Sequence, residues 1–267
     1  MAARRVNPLR SDNIAAMYSS TAIAMIFTSL TGVIAVLIDG IIASRFLGSD
    51  VYSGIALLRP FTSVVMLLAS FLSTGCSFVC SHQVGMGETR KANEAFNLTS
   101  AIGLLFAGLL ILVAVSVPDT VLRLCGVSLT KYPELNPHMY GYLRGYMIGL
   151  PAFLLVEVFG PVLVMDNGKK LFSFSSAVLC TADILGDLLN TLVFHGGAFG
   201  MGLATSFGYI LQLLVLLVHF TKPNHFFRLS PKLIRLDPLR EIIRGGSPSF
   251  VKRAARWSGF IRRTRMS

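Results

Sequence analysis

Apolar residues form six long runs along the chain, separated by short segments that carry charge, Gly or Pro. A membrane-crossing helix needs about 20 predominantly apolar residues, so each run is long enough to cross a bilayer once. Unbroken runs favour helices over transmembrane strands, whose residues alternate in polarity. The pattern predicts membrane-spanning helices over residues 14–46, 54–81, 95–118, 139–165 and 171–194, and a sixth from about Phe199 onward.

The division between the fifth and sixth spans rests on a turn. No Asp, Glu, Lys or Arg occurs between Asp187 and Lys222, and this stretch is too long for one crossing. His195-Gly196-Gly197 interrupts it, and Gly supplies the backbone freedom that a tight turn requires. We therefore predict that the chain reverses direction at this tripeptide.

Composition agrees with a polytopic membrane protein. Hydrophobic residues make up 53% of the 267 residues, charged residues only 14%, and the mean hydropathy is +0.66. Soluble domains carry about 25% charged residues, so a large soluble core is not expected. The first apolar run is too long for a signal-peptide core and is interpreted as a retained span. The predicted fold is all-α: a polytopic membrane helix bundle with about six transmembrane helices plus a truncated seventh.

Positive charge is concentrated at the C-terminal end of the chain. From Thr221 onward there are twelve basic and two acidic residues, whereas the first 220 residues have a net charge of +1. Beside membrane spans, such a bias marks the cytoplasmic side. With both termini inside, the segments before residue 245 place thirteen Lys and Arg in the cytoplasm and five outside. We therefore expect a multi-pass protein of the inner (plasma) membrane, with both termini cytoplasmic and with membrane lipid, not nucleic acid, as its partner.

The charge distribution also divides the chain into three predicted regions. Residues 1–222 form a six-helix N-terminal lobe, and residues 223–249 form a basic cytoplasmic linker that Gly245 to Ser249 is expected to break. In residues 250–267, Phe250, Ala254, Trp257 and Ile261 recur at helical spacing among basic residues. That spacing predicts either an interfacial helix or a seventh span that stops early.

Acidic residues within the spans are the candidate functional groups. An acid at the centre of a span costs about 2.5 to 3.5 kcal/mol on insertion scales, so it faces the protein interior or water. Asp183, Asp187 and Asn190 share one face of the fifth span. Asp39, in the outer half of the first span, is expected at a similar depth as Asp187. Together they predict a site that binds H⁺ or Na⁺; the alternative is a purely structural role, which we favour for Glu157.

Other reactive residues show no arrangement that predicts catalysis. Cys76, Cys80, Cys125 and Cys180 have no CxxC spacing, and three of them lie inside apolar runs, where Cys behaves as a small hydrophobe. No zinc-type, nucleophile-elbow or Walker pattern occurs in the sequence. We therefore expect no enzymatic activity, no bound metal and no cofactor other than a coupling ion.

The order of several motifs resembles the N-terminal half of the multidrug and toxic compound extrusion (MATE) family. The similarity covers roughly residues 10–250. The segments that carry it are Leu37 to Gly48 at the end of the first span, Pro60 and Gly75 in the second, Ser81 to Gly87 after it, Tyr142 to Pro151 in the fourth, Asp166 to Lys170, Asp183 to Asp187, and Gly200 to Thr205.

The resemblance implies export of cationic or amphipathic small molecules in exchange for H⁺ or Na⁺. Carried over by position, it implies a cation site of Asp39, Asp183, Asp187 and Thr205. Two residues depart from the family pattern: Asp183 stands where Asn is usual, and Ala24 stands where many members have a helix-bending Pro. The family has twelve helices in two lobes, so this single lobe is expected to be inactive without a second lobe or a homodimer partner.

Three other functions remain open at this stage. The first is a lipid-linked oligosaccharide flippase of the wider superfamily, which would be expected to carry more basic residues in its cavity than these spans do. The second is a fragment that inserts without transporting. The third, an intramembrane enzyme, is disfavoured by the missing catalytic patterns.

The charge bias makes the topology testable. Reporter fusions at Lys131 and His195 are expected to report an outside location, and fusions at Arg90, Lys169 and Lys232 an inside location. The reason is that thirteen basic loop residues then lie in the cytoplasm. A fusion at Lys169 that reports the outside would contradict the six-span arrangement.

Overall fold

The computed structural model describes residues 11–125, 127, 133–221 and 225–264, with side chains given for 18–251 within those ranges. Every regular element in these ranges is helical, which confirms the all-α prediction. Some residues on which the topology prediction depends lie outside the described parts, namely Arg4, Arg5, Arg10, Lys131 and Lys222. The side chains of Ala254, Trp257 and Ile261 are also outside them.

Six helices among the described residues are long and apolar enough to cross a membrane, which confirms the number of spans. The helices are α1 (Ser11–Ile42), α2 (Ser49–Leu57), α3 (Arg59–Gly85), α4 (Thr89–Ser116), α5 (Pro118–Leu124), α6 (Asn136–Met165), α7 (Lys169–Leu189), α8 (Gly197–Leu217) and α9 (Leu239–Thr264). Two spans end in a π-helical turn: α1 continues through Ala43–Leu47, and α7 through Asn190–Phe194. The spans belong to α1, α3, α4, α6, α7 and α8.

The reversal between the last two spans occurs where the sequence predicts it. His195 and Gly197 both have positive φ angles, of 52° and 58°. This left-handed conformation is uncommon for a residue with a Cβ and is readily adopted by Gly. The predicted turn at residues 195–197 is therefore confirmed.

The second span begins later than predicted. The apolar run from Gly54 is divided at Leu58, so α2 is a separate short helix and the span starts at Arg59. Pro60 explains the position of the break, since a Pro in the first turn of a helix lacks only an N–H that would have no partner there. α2 lies against α6, where a Cβ on Gly54 would come 3.0 Å from the Cβ of His138.

The centre of the bundle is α6, the most buried of the six spans. Its contact with α8 is unusually close, because Gly145, Gly149 and Gly202 leave no side chain between the two backbones. Ser206 connects the helices: its hydroxyl donates to the carbonyl of Gly145 at 2.7 Å and accepts from the N–H of Gly149 at 2.8 Å. These contacts fix the position of α8 relative to the core.

The predicted chain break at residues 245–249 is wrong. α9 begins at Leu239, inside the predicted linker, and continues through Gly245, Gly246 and Pro248. Both glycines lie against α3, where a Cβ on Gly246 would come 2.6 Å from the carbonyl oxygen of Phe71. The Gly-Gly pair therefore allows close packing of two helices, and the division of the chain into three regions stays a prediction.

The segment that leads to α9 is held along α4 by two asparagines. The Asn93 amide donates to the carbonyl of Phe226 at 2.9 Å and accepts from the N–H of Arg228. Asn97 repeats the pattern, donating to the carbonyl of Arg228 and accepting from the N–H of Ser230, both at 2.8 Å. The two side chains thus supply the hydrogen bonds that a neighbouring strand would supply. We call this end of the bundle, with residues 86–91, 166–170 and 225–244, the basic end, because these residues include nine Lys and Arg and four Asp and Glu.

The close contact between α6 and α8 predicts a position-specific effect of adding one methyl group. A Cβ at Gly149 would lie 2.4 Å from the Cα of Ser206, whereas a Cβ at Gly108 meets nothing within 4 Å. Gly149→Ala is expected to destabilise the bundle by about 1 to 3 kcal/mol, because neither backbone has room to move. Gly108→Ala is the matched control and should not destabilise it. Denaturation of both variants in detergent micelles checks this, and equal stability would contradict the close packing.

Candidate cation site

The helix α7 has its polar face inside the bundle and its apolar face outside. Its buried residues are Ser175, Ser176, Asp183 and Asp187, and exposed positions include Leu185 and Leu189. This arrangement is the reverse of a surface helix in water and is expected where the surroundings are lipid. α7 lies between α1 and α8, so its polar face is presented to both.

Three carboxyl groups meet on this polar face. Asp187 is fully buried and Asp183 is 4% exposed, while Asp39 reaches them from α1 and is partly buried. The side chains of Asp39 and Asp187 lie close to each other, and Asp183 is an electrostatic neighbour of both. The predicted meeting of Asp39 with Asp183 and Asp187 therefore occurs in the structure.

The carboxyl oxygens of this cluster have few donors. In the described part of the chain, no N–H or O–H group donates to either oxygen of Asp187, or to one oxygen each of Asp39 and Asp183. None of the ion pairs found there involves these three residues. Two carboxyl groups can form a hydrogen bond with each other only when one carries a proton. The alternative is a cation between them.

Thr205 on α8 completes one side of the cluster. Its hydroxyl lies beside Asp183 and donates to the carbonyl oxygen of Met201 at 3.2 Å. A hydroxyl has one proton, so it donates to one of these acceptors at a time and offers its lone pairs otherwise. Thr205 therefore stands where it can donate to Asp183 or ligate a cation.

Asn190, the fifth residue of the predicted site, makes its side-chain hydrogen bonds to the turn after α7. Its side-chain amide donates to the carbonyl of Gly197 at 2.9 Å and accepts from the N–H of Gly196 at 3.0 Å. A Cβ on Gly200 would come 1.7 Å from its Oδ1, so this turn is built closely around the amide. Asn190 shares the buried face of the acids, but the contacts of its side chain hold the turn that connects α7 to α8.

Sequence analysis missed the tyrosines beside the acids. Tyr142 on α6 packs against the cluster of Ile42, Ala43 and Met201, and all three carboxyl groups are its electrostatic neighbours. The rings of Tyr142 and Tyr146 are stacked, with centroids 6.0 Å apart. Tyr209 on α8 neighbours Asp183. The signal available in the sequence was the spacing of Tyr142 and Tyr146, which places both on one face of the fourth span.

Glu157 lies apart from the three aspartates. Its electrostatic neighbours are Tyr146 and Tyr209. It is partly buried on α6. The structural role expected for it stays a prediction.

A groove on the outer side of α7 and α8 has a volume of about 870 Å³. Its lining is almost wholly apolar and includes Phe174, Leu185, Phe199, Leu203 and Phe207. The three carboxyl groups are not part of this lining, because they lie on the opposite face of α7.

Solved structures with the same fold are membrane transporters. They include a MATE protein in complex with MaD3S and an outward-facing multidrug resistance MATE family transporter of the MOP superfamily. Both are 18% identical to this chain, with TM-scores of 0.80 and 0.79 over 89% of it. A third is a MOP superfamily transporter from Pyrococcus furiosus Vc1 (DSM3638), in which reverse polarity of the binding pocket suggests a different function. It is 18% identical, with a TM-score of 0.78 over 89% of this chain.

The chain spans about half the length of these structures, 53% of the first and 52% of the other two. No curated protein matches the chain. The sequence profile of the MatE family matches residues 24–182, which is more than half of the chain and includes Asp39. The match also covers the first five of the six spans in whole or in part. This multi-pass membrane protein therefore belongs to the MatE family of transporters.

Proposed function

We propose that this six-helix bundle is the N-terminal lobe of an exporter of cationic or amphipathic compounds, driven by exchange for H⁺ or Na⁺. The observation that carries the proposal is the meeting of Asp39, Asp183 and Asp187 without a basic partner among the described residues. The coupling ion binds between these carboxyl groups. An enzymatic function is not proposed.

Electrostatics favours a cation in this position. Three ionised carboxyl groups in a low-dielectric interior repel one another, and each has lost much of its hydration. One bound cation reduces the charge and provides a ligand for the oxygens of Asp187 that lack donors. Carboxylate and hydroxyl oxygens are suitable ligands for a hard cation, and a proton shared by Asp39 and Asp187 serves the same purpose.

Each residue of the proposed site has a role that follows from the helix on which it lies. Asp39 and Asp187 hold the ion between α1 and α7, and Asp183 with Thr205 connects the site to α8. Tyr142 closes the site from α6, where its hydroxyl can donate to a carboxylate. Asn190, part of the site predicted from the sequence, is left out because its amide is bound to the turn.

Coupling to movement follows from the weak attachment of α1. Its only buried apolar residues are Ala35, Ile42 and the adjoining Ala43, among the residues whose side chains are described. α1 packs mainly against α7, the helix that supplies the other two acids. Loss of the cation leaves carboxylates of like charge across the α1–α7 contact, which pushes these helices apart. Binding of the cation draws them together.

Transport requires a second lobe in this proposal. Alternating access in such transporters depends on two repeats that move about a central site. The exposed apolar surface of α1 is suited to lie against lipid or such a repeat, supplied either by further chain or by a second copy. The substrates are small cationic or amphipathic molecules, because the acids give this lobe a negative interior.

An oligosaccharide flippase is the second candidate. Support for it comes from the Pyrococcus furiosus transporter of the same fold, for which reverse polarity of the binding pocket suggests a different function. The acidic cluster makes the flippase the weaker candidate here, because an anionic lipid-linked substrate would be repelled.

A cation-binding experiment tests the proposed site. The chain in detergent is titrated with Na⁺ at fixed pH, and separately with H⁺ at fixed ionic strength, while its melting temperature is measured. The ion that binds the site is expected to raise the melting temperature. A ligand at 100 times its Kd stabilises the folded state by about 2.7 kcal/mol. Asp187→Asn should remove most of this gain and raise the cation-free melting temperature, because it removes like-charge repulsion.

The matched control is Asp50→Asn, since Asp50 is an exposed acid on α2 that lies outside the cluster. This variant should keep the full response to the cation. If Asp187→Asn lowers the cation-free melting temperature and leaves the response intact, the acids are structural and the cation site is wrong.

An export assay tests the need for a second lobe. These 267 residues, expressed alone in a host stripped of its own exporters, are expected to insert without conferring drug resistance. Co-expression with the C-terminal lobe of a family member supplies a second repeat, and export should then depend on Asp39 and Asp187. Resistance from this chain alone would refute the requirement and favour a homodimer.

A further inference from the structure

Three metal-ligating side chains meet at the basic end, two of them close in sequence and the third more than fifty residues earlier. Asp166 follows α6, His219 lies in the turn after α8, and His225 begins the segment held by α4. One ligand atom from each lies within 4.8 Å of the other two. The Nε2 of His219 is 3.0 Å from Oδ2 of Asp166, and the two imidazole centroids are 4.7 Å apart.

The surrounding structure holds two of these groups in place. Both oxygens of Asp166 accept from the N–H of Phe226, at 3.1 and 3.2 Å, so the carboxylate plane is fixed. The side chains of Asp166 and His219 are each only 11% exposed. Gly168 provides the space for the imidazole of His219, because a Cβ there would lie 3.1 Å from its Cε1. Such outer contacts orient ligands in metal sites.

We propose that Asp166, His219 and His225 form a binding site for a divalent transition metal of the zinc class. Two imidazoles and one carboxylate suit metals of intermediate softness, and three protein ligands leave a fourth position for water. Zinc binds imidazole nitrogen at about 2.0 to 2.1 Å and carboxylate oxygen at about 2.0 to 2.2 Å. Ligand atoms spaced within 4.8 Å of one another need only small side-chain movements to reach a common ion.

A purely structural hydrogen bond accounts for less of the arrangement. The contact between His219 and Asp166 would by itself join the end of α8 to the loop after α6. It does not explain why His225 brings a second imidazole beside the first. A metal joins all three segments and fixes the start of the segment that Asn93 and Asn97 hold against α4.

Residue spacing gives only part of this site. Five residues separate His219 from His225, an interval that occurs in zinc motifs, but Asp166 lies 53 residues before His219. The prediction of no metal site overlooked the histidine pair, and the third ligand is recognised only in the tertiary structure. The metal site lies in a different place from the carboxyl cluster, and its proposal does not depend on the proposed transport function.

Cobalt binding tests the proposal, because Co²⁺ occupies zinc-type sites and absorbs visible light. The full chain, purified without a polyhistidine tag and stripped of metal, is titrated with Co²⁺ in detergent. One equivalent is expected to bind with the visible bands of a four-coordinate ion, and Zn²⁺ should displace it. His225→Gln and Asp166→Asn are each expected to weaken Co²⁺ binding at least tenfold. Loss of a residue that only orients a metal ligand already lowers metal affinity by about tenfold or more, so loss of a ligand should lower it at least as much.

His225→Gln is the decisive variant, because it leaves the hydrogen bonds of Asp166 to His219 and Phe226 intact. His82→Gln is the matched control: His82 is an exposed histidine near the same end, outside the cluster, and this variant should bind like the wild type. The helical content of each variant is compared by circular dichroism. Equal Co²⁺ affinity for wild type and His225→Gln, or no visible bands with the wild type, would overturn the metal site and leave a structural hydrogen bond.

Discussion

A bilayer offers no hydrogen-bond partners, and this constraint decides which way the polar side chains of this protein face. Helix α7 is the clearest case, since Ser175, Ser176 and both of its aspartates are buried while Leu185 and Leu189 are exposed. Polar groups in hydrocarbon cost several kcal/mol each, so the helix must turn this face inward. The neighbouring helices then have to provide either partners or a place for an ion. The serines find Gln212 of α8, with its amide nitrogen 3.4 Å from each hydroxyl.

The acid cluster depends on packing that lies elsewhere in the bundle. Glycines let α6 and α8 approach at backbone distance, and Ser206 ties the two helices together. Thr205 is the preceding residue on α8, so the same contacts that anchor Ser206 also set the position of the Thr205 hydroxyl beside Asp183. In the same way, Tyr142 reaches the acids from the helix that forms the core. Rigid packing on one side of the site contrasts with the few buried residues of α1 on the other.

At the basic end, side-chain amides and carboxylates replace backbone pairing. Asn93, Asn97 and Asp166 together satisfy backbone groups of residues 226–230, in a segment with no regular secondary structure. Buried backbone groups require such partners, which explains why α4 carries buried asparagines near its start. The arrangement fixes the path of the chain toward α9, whose glycines then allow it to lie closely along α3. Local polar contacts thus position a whole helix.

The sequence by itself determined the features that depend on local composition. Long apolar runs predict the spans, Gly196 and Gly197 predict the turn, and the spacing of Asp183 and Asp187 predicts one buried polar face. The tertiary structure alone decided the features that depend on which helices meet. Gly245 and Gly246 are residues typical of a chain break but lie within a helix packed on α3. The side-chain amide of Asn190 forms hydrogen bonds to the turn between α7 and α8. Contacts such as those of Tyr142 or of Asp166 with His219 join residues far apart in the chain, so no local pattern records them.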